Sequence, residues 1–309
     1  MEHFWYNPRK GVKAVLWELL RERILIFDGA MGTRLQQLGL PPGYPPEEWN
    51  LSHPEEVLKV HKSYVESGAD VIQTNTFGGN RVRLARSGLD GCLVDILREG
   101  VRIARRALRP GVLLAASLGP LGEFMEPFGD LTEEKAREAF REAVQLLSEM
   151  GIRLFHLETF SSSREALLAL EAVEAVGGEA IVSFTFESRG GKMVTLLGET
   201  PESIARLFWG KAGVVLGANC GTGIREALAI FEEYQKVYPG PFSAKPNAGV
   251  PSLQGGEVTY HETPEDFLSL APRFFELGVR IIGGCCGTHE GHIAALKRAR
   301  DLWSSQREG

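Results

Sequence analysis

The chain has 309 residues, 43% of them hydrophobic and 24% charged, with a net charge of -6. That balance argues against nucleic acid or an anionic membrane as a partner and suits a small or neutral ligand. No segment approaches the roughly eighteen uninterrupted apolar residues of a membrane span, and Met1 to Gly11 lacks the apolar core of a signal peptide, so the expected location is cytoplasmic.

In chain order, residues 12–23 read as an amphipathic helix closing an N-terminal extension (residues 1–23), with a place as a plug under the domain that follows. Eight short apolar runs come next: Ile24–Phe27, Val71–Thr76, Leu113–Leu118, Leu154–Thr159, Ala180–Phe186, Val214–Asn219, Phe242–Asn247 and Val279–Gly284. Most are near-continuous in apolar residues, as strands buried on both faces should be. Amphipathic helical segments separate them at Pro54–Glu66, Thr132–Met150, Ser163–Val176, Pro201–Lys211, Gly223–Val237 and Pro264–Leu277. Several of these open on Ser, Thr or Thr-Pro, and several stop at glycine, namely Gly68, Gly151, Gly177 and Gly278. Strand and helix alternating eight times predict an α/β fold, a (β/α)8 TIM barrel with an extra N-terminal helix, in which residues 1–309 form a single domain. Counting alone leaves seven strands or an open doubly wound sheet as alternatives. Two long connections, residues 35–52 and 119–130, follow strands and so belong to the face where barrel enzymes work. A lid, a partner-docking surface and plain proline-stiffened loops are equally open readings of them.

In a barrel, polar residues at the C-terminal ends of different strands converge on one mouth. Those ends carry Asp28-Gly29-Ala30, Asn75, Glu158-Thr159, Asn219-Cys220, Asn247 and Cys285-Cys286. Vicinal thiols can meet one partner only where a strand ends and the backbone bends, and Gly283, Gly284 and Gly287 offer that freedom. Strand seven lies between strands six and eight, so Asn247 is expected between Cys220 and the cysteine pair; closure sets Asp28 beside the thiols and Glu158 across the mouth. Three thiolates with one open position are the donor set of a catalytic zinc site, and the charge they carry suits activation of a substrate thiol for alkyl transfer. Each feature has a plainer reading. Cys92, remote from the strand ends, is expected to pack in the core, Asp28 could cap a short helix, Glu158 could pair structurally, Asn247 could bond nearby backbone, and His289 and His292 are expected to begin the last helix. A vicinal disulfide, a redox dithiol or a zinc store remains the alternative for the cysteine trio.

FDGAMGT, TNTFGGN, GANCGTG, KPNAGVP and GGCCGT, in that order between residues 27 and 288, resemble the zinc-dependent homocysteine S-methyltransferase family. The resemblance spans nearly the whole chain, and its asparagine-cysteine followed by the glycine-flanked cysteine pair is specific. It implies a (β/α)8 barrel in which Cys220, Cys285 and Cys286 hold one Zn2+ and L-homocysteine binds through sulfur to be methylated to methionine. It further implies that Asp28 and Glu158 receive the substrate ammonium, that backbone amides around Gly29 and Ala30 take the carboxylate, and that Asn247 can fill the fourth zinc position before substrate arrives. Glu158-Thr159-Phe160 and Lys245-Pro246-Asn247 are closer to the homocysteine module of cobalamin-dependent methionine synthase than to the betaine enzyme, whose matching glutamate precedes a tyrosine. By that likeness the donor is methylcobalamin or methyltetrahydrofolate held by separate partner proteins, with S-methylmethionine or S-adenosylmethionine as the other choice. A cage for an onium donor needs aimed aromatics, for which Phe77, Phe124, Phe128 and Phe160 are the candidates.

Overall fold

The structure, a computed structural model, describes residues 15–211, 213–254 and 257–307. Eight parallel strands form its centre: Leu25–Ile26 (β1), Val71–Gln73 (β2), Leu113–Leu118 (β3), Leu154–Phe160 (β4), Glu179–Phe184 (β5), Val214–Gly223 (β6), Phe242–Asn247 (β7) and Val279–Ile282 (β8). Their lateral order is β1-β8-β7-β6-β5-β4-β3-β2, with β1 registered on β8 through Leu25–Ile281 and Ile26–Ile282. The circle closes between β1 and β2 by a parallel bridge of Phe27 with Val71, where Asp28 N–H donates to Val71 O at 3.0 Å and Asp70 N–H to Ile26 O at 2.7 Å. This is a (β/α)8 barrel, and the open-sheet and seven-strand alternatives fall.

Alternation along the strands sorts side chains into inside and outside. Leu25, Phe27, Val71, Ala115, Leu154, Ile181, Val215 and Ile281 make an apolar floor across the barrel interior. The helix Val15–Glu22 (α1) buries Leu16, Trp17 and Leu20 against that floor, so the plug expected from residues 12–23 is present, with residues 12–14 outside the described range. Outward residues such as Phe155, Leu157, Phe242 and Ala244 pack beneath the surrounding helices in the main core. Above the floor the interior turns polar, where His156, Ser183 and Ser243 are fully buried and lead up to the strand ends.

The helices fall within a few residues of their expected limits, for example Glu133–Glu149 behind an N-cap in which Thr132 accepts from Lys135 N–H. The largest difference is Pro201–Phe208, which stops short of Lys211. Strand β2 ends at Gln73 instead of Thr76 because the chain turns there, with Thr76 N–H donating to Thr74 O at 3.0 Å. Two small antiparallel hairpins, Glu187–Arg189 with Lys192–Val194 and Ser252–Gln254 with Glu257–Thr259, decorate the C-terminal face. The long connection at 35–52 packs as a wall, since Asn50 Nδ2 donates to Asn75 O at 2.8 Å and Asn75 Nδ2 donates to Pro46 O at 2.7 Å. The connection at 119–130 borders a separate cleft of about 400 Å³ and leaves Phe124 and Phe128 exposed. No described helix is long and apolar enough to cross a membrane.

Candidate active site

The three thiols meet at the C-terminal mouth. Cys220 ends the regular part of β6, and Cys285 and Cys286 follow β8 after Gly283 and Gly284, with all three Sγ atoms within 4.8 Å of one another and Cys220 Sγ 3.9 Å from Cys286 Sγ. Tetrahedral zinc with Zn–S bonds of about 2.3 Å separates its sulfurs by about 3.8 Å, close to the spacing of Cys220 and Cys286. Among the described residues no histidine or carboxylate joins this cluster. His289 instead caps the last helix, Glu290–Ser305, and His292 Nε2 lies 3.0 Å from Glu262 O. Cys92 is half-buried at the edge of the core.

The backbone around the thiols is held tightly. Cys220 and Gly221 both take left-handed conformations, with φ of 56° and 68°, which turns the chain sharply at the end of the parallel ladder. A cysteine held there is strained, a feature that clusters at functional sites. The glycines flanking the pair have a different basis from the one read in the sequence. Gly287 alone among them needs a positive φ (80°), whereas Gly283 and Gly284 lack room: a Cβ on Gly283 would sit 2.7 Å from Asp28 O, and one on Gly284 would run into the Thr288 side chain. Cys285 N–H donates to Pro246 O at 2.8 Å and Ala248 N–H to Cys286 O at 3.0 Å, lacing the pair to β7. Asn247 lies at the end of that strand, as expected between the two cysteine positions, and its buried Oδ1 accepts no hydrogen bond from the described residues. Three adjacent thiols cannot ionise together without a cation. Hydrogen bonds from Cys285 and Cys286 bring the Cys220 thiol well below its usual range, and its thiolate in turn pushes Cys285 up to about 12 and Cys286 further still.

A cavity of about 440 Å³ opens beside the cysteines, lined by all three and by Gly29, Ala30, Glu158 and Lys245 among others. Glu158 is buried on β4. Its Oε1 accepts from Ser117 Oγ at 2.5 Å and Gln73 Nε2 at 2.8 Å, and its Oε2 from Asn219 Nδ2 at 3.3 Å. Burial pushes its carboxyl up to about 7 against the pull of Lys245. Beneath it His156 bridges Gln73 Oε1 (2.8 Å) and Ser183 Oγ (2.9 Å), and burial drives its pKa well below the usual histidine range, so the ring is neutral. Thr159 (φ 65°) is a second strained residue, and it exchanges hydrogen bonds with Asn219, each 2.7 Å long.

Asp28 caps no helix. Its Oδ2 accepts from Gln73 N–H at 2.8 Å, and its Oδ1 forms a buried ion pair with Lys245 Nζ at 2.7 Å. Burial raises its pKa and Lys245 pulls it back. At the following turn, Ala30 N–H already donates to Thr288 Oγ1 (3.1 Å) and Ala30 O accepts from Tyr64 Oη (2.6 Å). Lys245, Gln73, Ser117, His156 and Thr288 were not singled out from sequence. For Lys245 a signal existed, because a lysine within a buried strand, two residues before an inward asparagine, faces the barrel interior.

Of the four phenylalanines considered for an onium cage, Phe77 lines the cysteine cavity, and the Arg83 guanidinium covers its ring at 4.8 Å. Phe160 is fully buried against Phe140, and Phe124 and Phe128 border the separate cleft.

Comparison with known proteins agrees with this arrangement. The profile of one family, homocysteine S-methyltransferase, matches residues 25–300. The chain is 25% identical to the metallated form of the homocysteine methyltransferase MmuM from Escherichia coli, with a TM-score of 0.77 over 93% of this chain and 99% of that one. The oxidised form of the same enzyme gives 26% identity and a TM-score of 0.76 over the same shares, and the apo form 25% and 0.69 over 91% and 97%. On its fold and its extent of match, the chain belongs to the homocysteine S-methyltransferase family and is a methyltransferase.

Proposed function

We propose that this enzyme methylates the thiol of L-homocysteine to give methionine, using one zinc ion held by Cys220, Cys285 and Cys286. The observation that carries this is the shared cavity: three sulfurs at metal-binding distance open onto the same space as the buried carboxylate of Glu158 and as Lys245, the ion-pair partner of the buried Asp28. A store of zinc or a redox dithiol needs no such amino-acid pocket. Zinc bound there supplies positive charge that lets a thiol, with a free pKa of about 8.5, bind as thiolate at neutral pH.

The rest falls to this chain's own side chains. Glu158, fixed by Ser117, Gln73 and Asn219, accepts the substrate ammonium, with Asp28 as the second acceptor across the mouth. The turn at Gly29 and Ala30 borders the substrate carboxylate, although the Ala30 amide would have to share its proton with Thr288. Asn247, with its unpartnered Oδ1, is the fourth ligand when substrate is absent. Held by its head and its sulfur, homocysteine is presented to the donor in one orientation, and such positioning can lower a barrier by several kcal/mol. The sulfur forms a bond to the methyl carbon as the donor's leaving group departs with its electron pair, and the product thioether has lost the charge that held it.

The aromatic inventory favours a donor whose methyl group is uncharged. Among the described residues Phe77 is the single aromatic lining the cavity, and with Arg83 on its face it offers no cage to a sulfonium or a betaine. Methylcobalamin or methyltetrahydrofolate, carried by a partner, fits that environment better than S-methylmethionine, S-adenosylmethionine or betaine. The deciding assay is methionine formation from homocysteine against those five donors. X-ray absorption of the zinc-loaded protein should show a fourth sulfur when homocysteine is added; three sulfurs in its presence would end the proposal.

A further inference from the structure

Two cations line the active-site cavity, and their surroundings differ. Lys245 is ion-paired to Asp28 at 2.7 Å. Arg83, on the short helix Arg81–Ala85 that follows β2, forms no ion pair among the described residues. Its guanidinium lies over the Phe77 ring at 4.8 Å and reaches Pro120 O at 3.5 Å, so most of its five N–H donors are uncommitted. The side chain is nonetheless held in place, since it packs against Gly78, where a Cβ would meet Arg83 Cδ at 3.1 Å. The two buried acids that feel its charge, Glu47 and Glu165, are bonded to the backbone amides of Gly78 and Leu121. The cavity therefore carries one guanidinium whose charge nothing directly pairs.

Phe77, Arg83 and Pro120 belong to the segments after β2 and β3, beyond the strand ends, and form a wall on the side from which a second reactant enters a barrel site. That placement bears on the charge of the methyl donor. Four thiolates on one Zn2+, three from the protein and one from homocysteine, leave a net charge of about -2, which draws cations toward the cavity. A space of about 440 Å³ is roughly 9 Å across, so a cationic methyl group inside it stands within about one Debye length of the guanidinium. The same guanidinium occupies the face of Phe77, the aromatic surface on which an onium would rest. We propose that Arg83 selects the methyl donor. It excludes sulfonium and quaternary ammonium donors by like charge and by covering Phe77, and it leaves the cavity to donors whose transferred methyl group is uncharged. This role rests on the homocysteine reading and makes the donor preference a property of one side chain.

The test follows tetramethylammonium, an onium that does not readily give up a methyl group, by NMR titration into zinc-loaded protein saturated with homocysteine. Arg83→Met removes the repelling charge and bares the Phe77 ring, so its Kd should be at least about tenfold lower than that of the wild type. Arg83→Lys keeps the charge and should behave like the wild type. In methionine formation, the rate with S-methylmethionine relative to methylcobalamin should rise at least about tenfold in Arg83→Met and stay at the wild-type ratio in Arg83→Lys. An Arg83→Met protein that binds tetramethylammonium no better than wild type overturns the role, as does an Arg83→Lys protein that binds it as well as Arg83→Met. A wild type that already prefers S-methylmethionine to methylcobalamin overturns the role too, while leaving homocysteine as the acceptor. Zinc content and Kd for homocysteine are read on the same samples, and loss of homocysteine affinity in Arg83→Met would assign the guanidinium to the homocysteine side instead. A wild type that does not bind homocysteine overturns the homocysteine reading itself.

Discussion

Replacing Glu158 by glutamine separates its role toward substrate from any role toward the metal. The variant keeps the shape of the side chain and, with its amide oxygen toward Ser117 and Gln73, keeps those two contacts while giving up the one from Asn219, and it removes the charge that would face an ammonium. A hydrogen bond to a charged group contributes about 1.5–3 kcal/mol, so Kd for homocysteine should rise about 10- to 150-fold. Zinc content should not change, because none of those three partners is a cysteine. A second signature follows from titration. Burial raises the Glu158 carboxyl to about 7. Above that pH it is ionised and ready for the ammonium, whereas below it a proton must leave before the ammonium can bind, which weakens affinity by about tenfold per pH unit. The substrate thiol contributes its own proton release at every pH below its pKa, so the wild-type profile should steepen below about 7 while Glu158→Gln keeps only the thiol's slope. Calorimetry across that range and metal analysis on the same samples give both readings. Loss of zinc in parallel with loss of affinity would make Glu158 a structural support, and an unchanged Kd with an unchanged slope would remove it from the substrate site.

Three further outcomes follow from the same geometry. Cys220→Ser and Cys286→Ser should each lower zinc occupancy by at least about an order of magnitude after dialysis against a mild chelator, since each removes one of three sulfurs; full retention would mean the metal lies elsewhere. Gly284→Ala pushes a Cβ into the Thr288 side chain, whose hydroxyl anchors Cys285 O at 2.7 Å. It should therefore cut zinc retention while far-ultraviolet circular dichroism stays normal, and unaltered metal content would show that the cysteine pair tolerates the shift. His61 is fully buried with neither ring nitrogen bonded among the described residues, and burial lowers its pKa from 6.5 to about 4. The folded state resists its protonation, so stability present above about 6.5 is lost as the pH falls toward 4, by up to about 3 kcal/mol. Urea titrations of His61→Leu should show a flatter dependence over that window, and a profile parallel to wild type would exclude the residue.

The barrel was legible because parallel strands buried on both faces leave uninterrupted apolar runs, and the cysteine site because three thiols fell at the ends of two of them. Boundaries drifted where tertiary contacts act, as at β2, whose last expected residues turn away once Thr74 and Thr76 bond each other. The helix Leu93–Ala107 has Leu93, Ile96, Leu97, Val101 and Ala104 on one buried face and could have been named from that spacing. The first hairpin also left a trace in the Gly190-Gly191 turn between Arg189 and Lys192. The pairing of Asp28 with Lys245 left none. Those residues are 217 positions apart, and their contact depends on barrel closure and on the register that sets Asn219 against Lys245.

That pairing alters how the amino-acid head must be read. Two carboxylates facing one ammonium would leave an empty pocket with an excess of negative charge beside thiolates that already repel one another, and desolvation would then hold protons on the acids. Lys245 pairs with one of them before substrate arrives and offsets part of the burial that raises the Asp28 pKa. Glu158 has no direct ion pair to lysine or arginine among the described residues and is pushed by burial up to about 7, so under the proposed scheme it is the group whose charge state would respond to the substrate. The two carboxylates that looked equivalent at the ends of their strands therefore differ in kind. One is held in a buried ion pair with a lysine, and the other, under the proposed scheme, is a titrating acceptor that would couple homocysteine binding to pH.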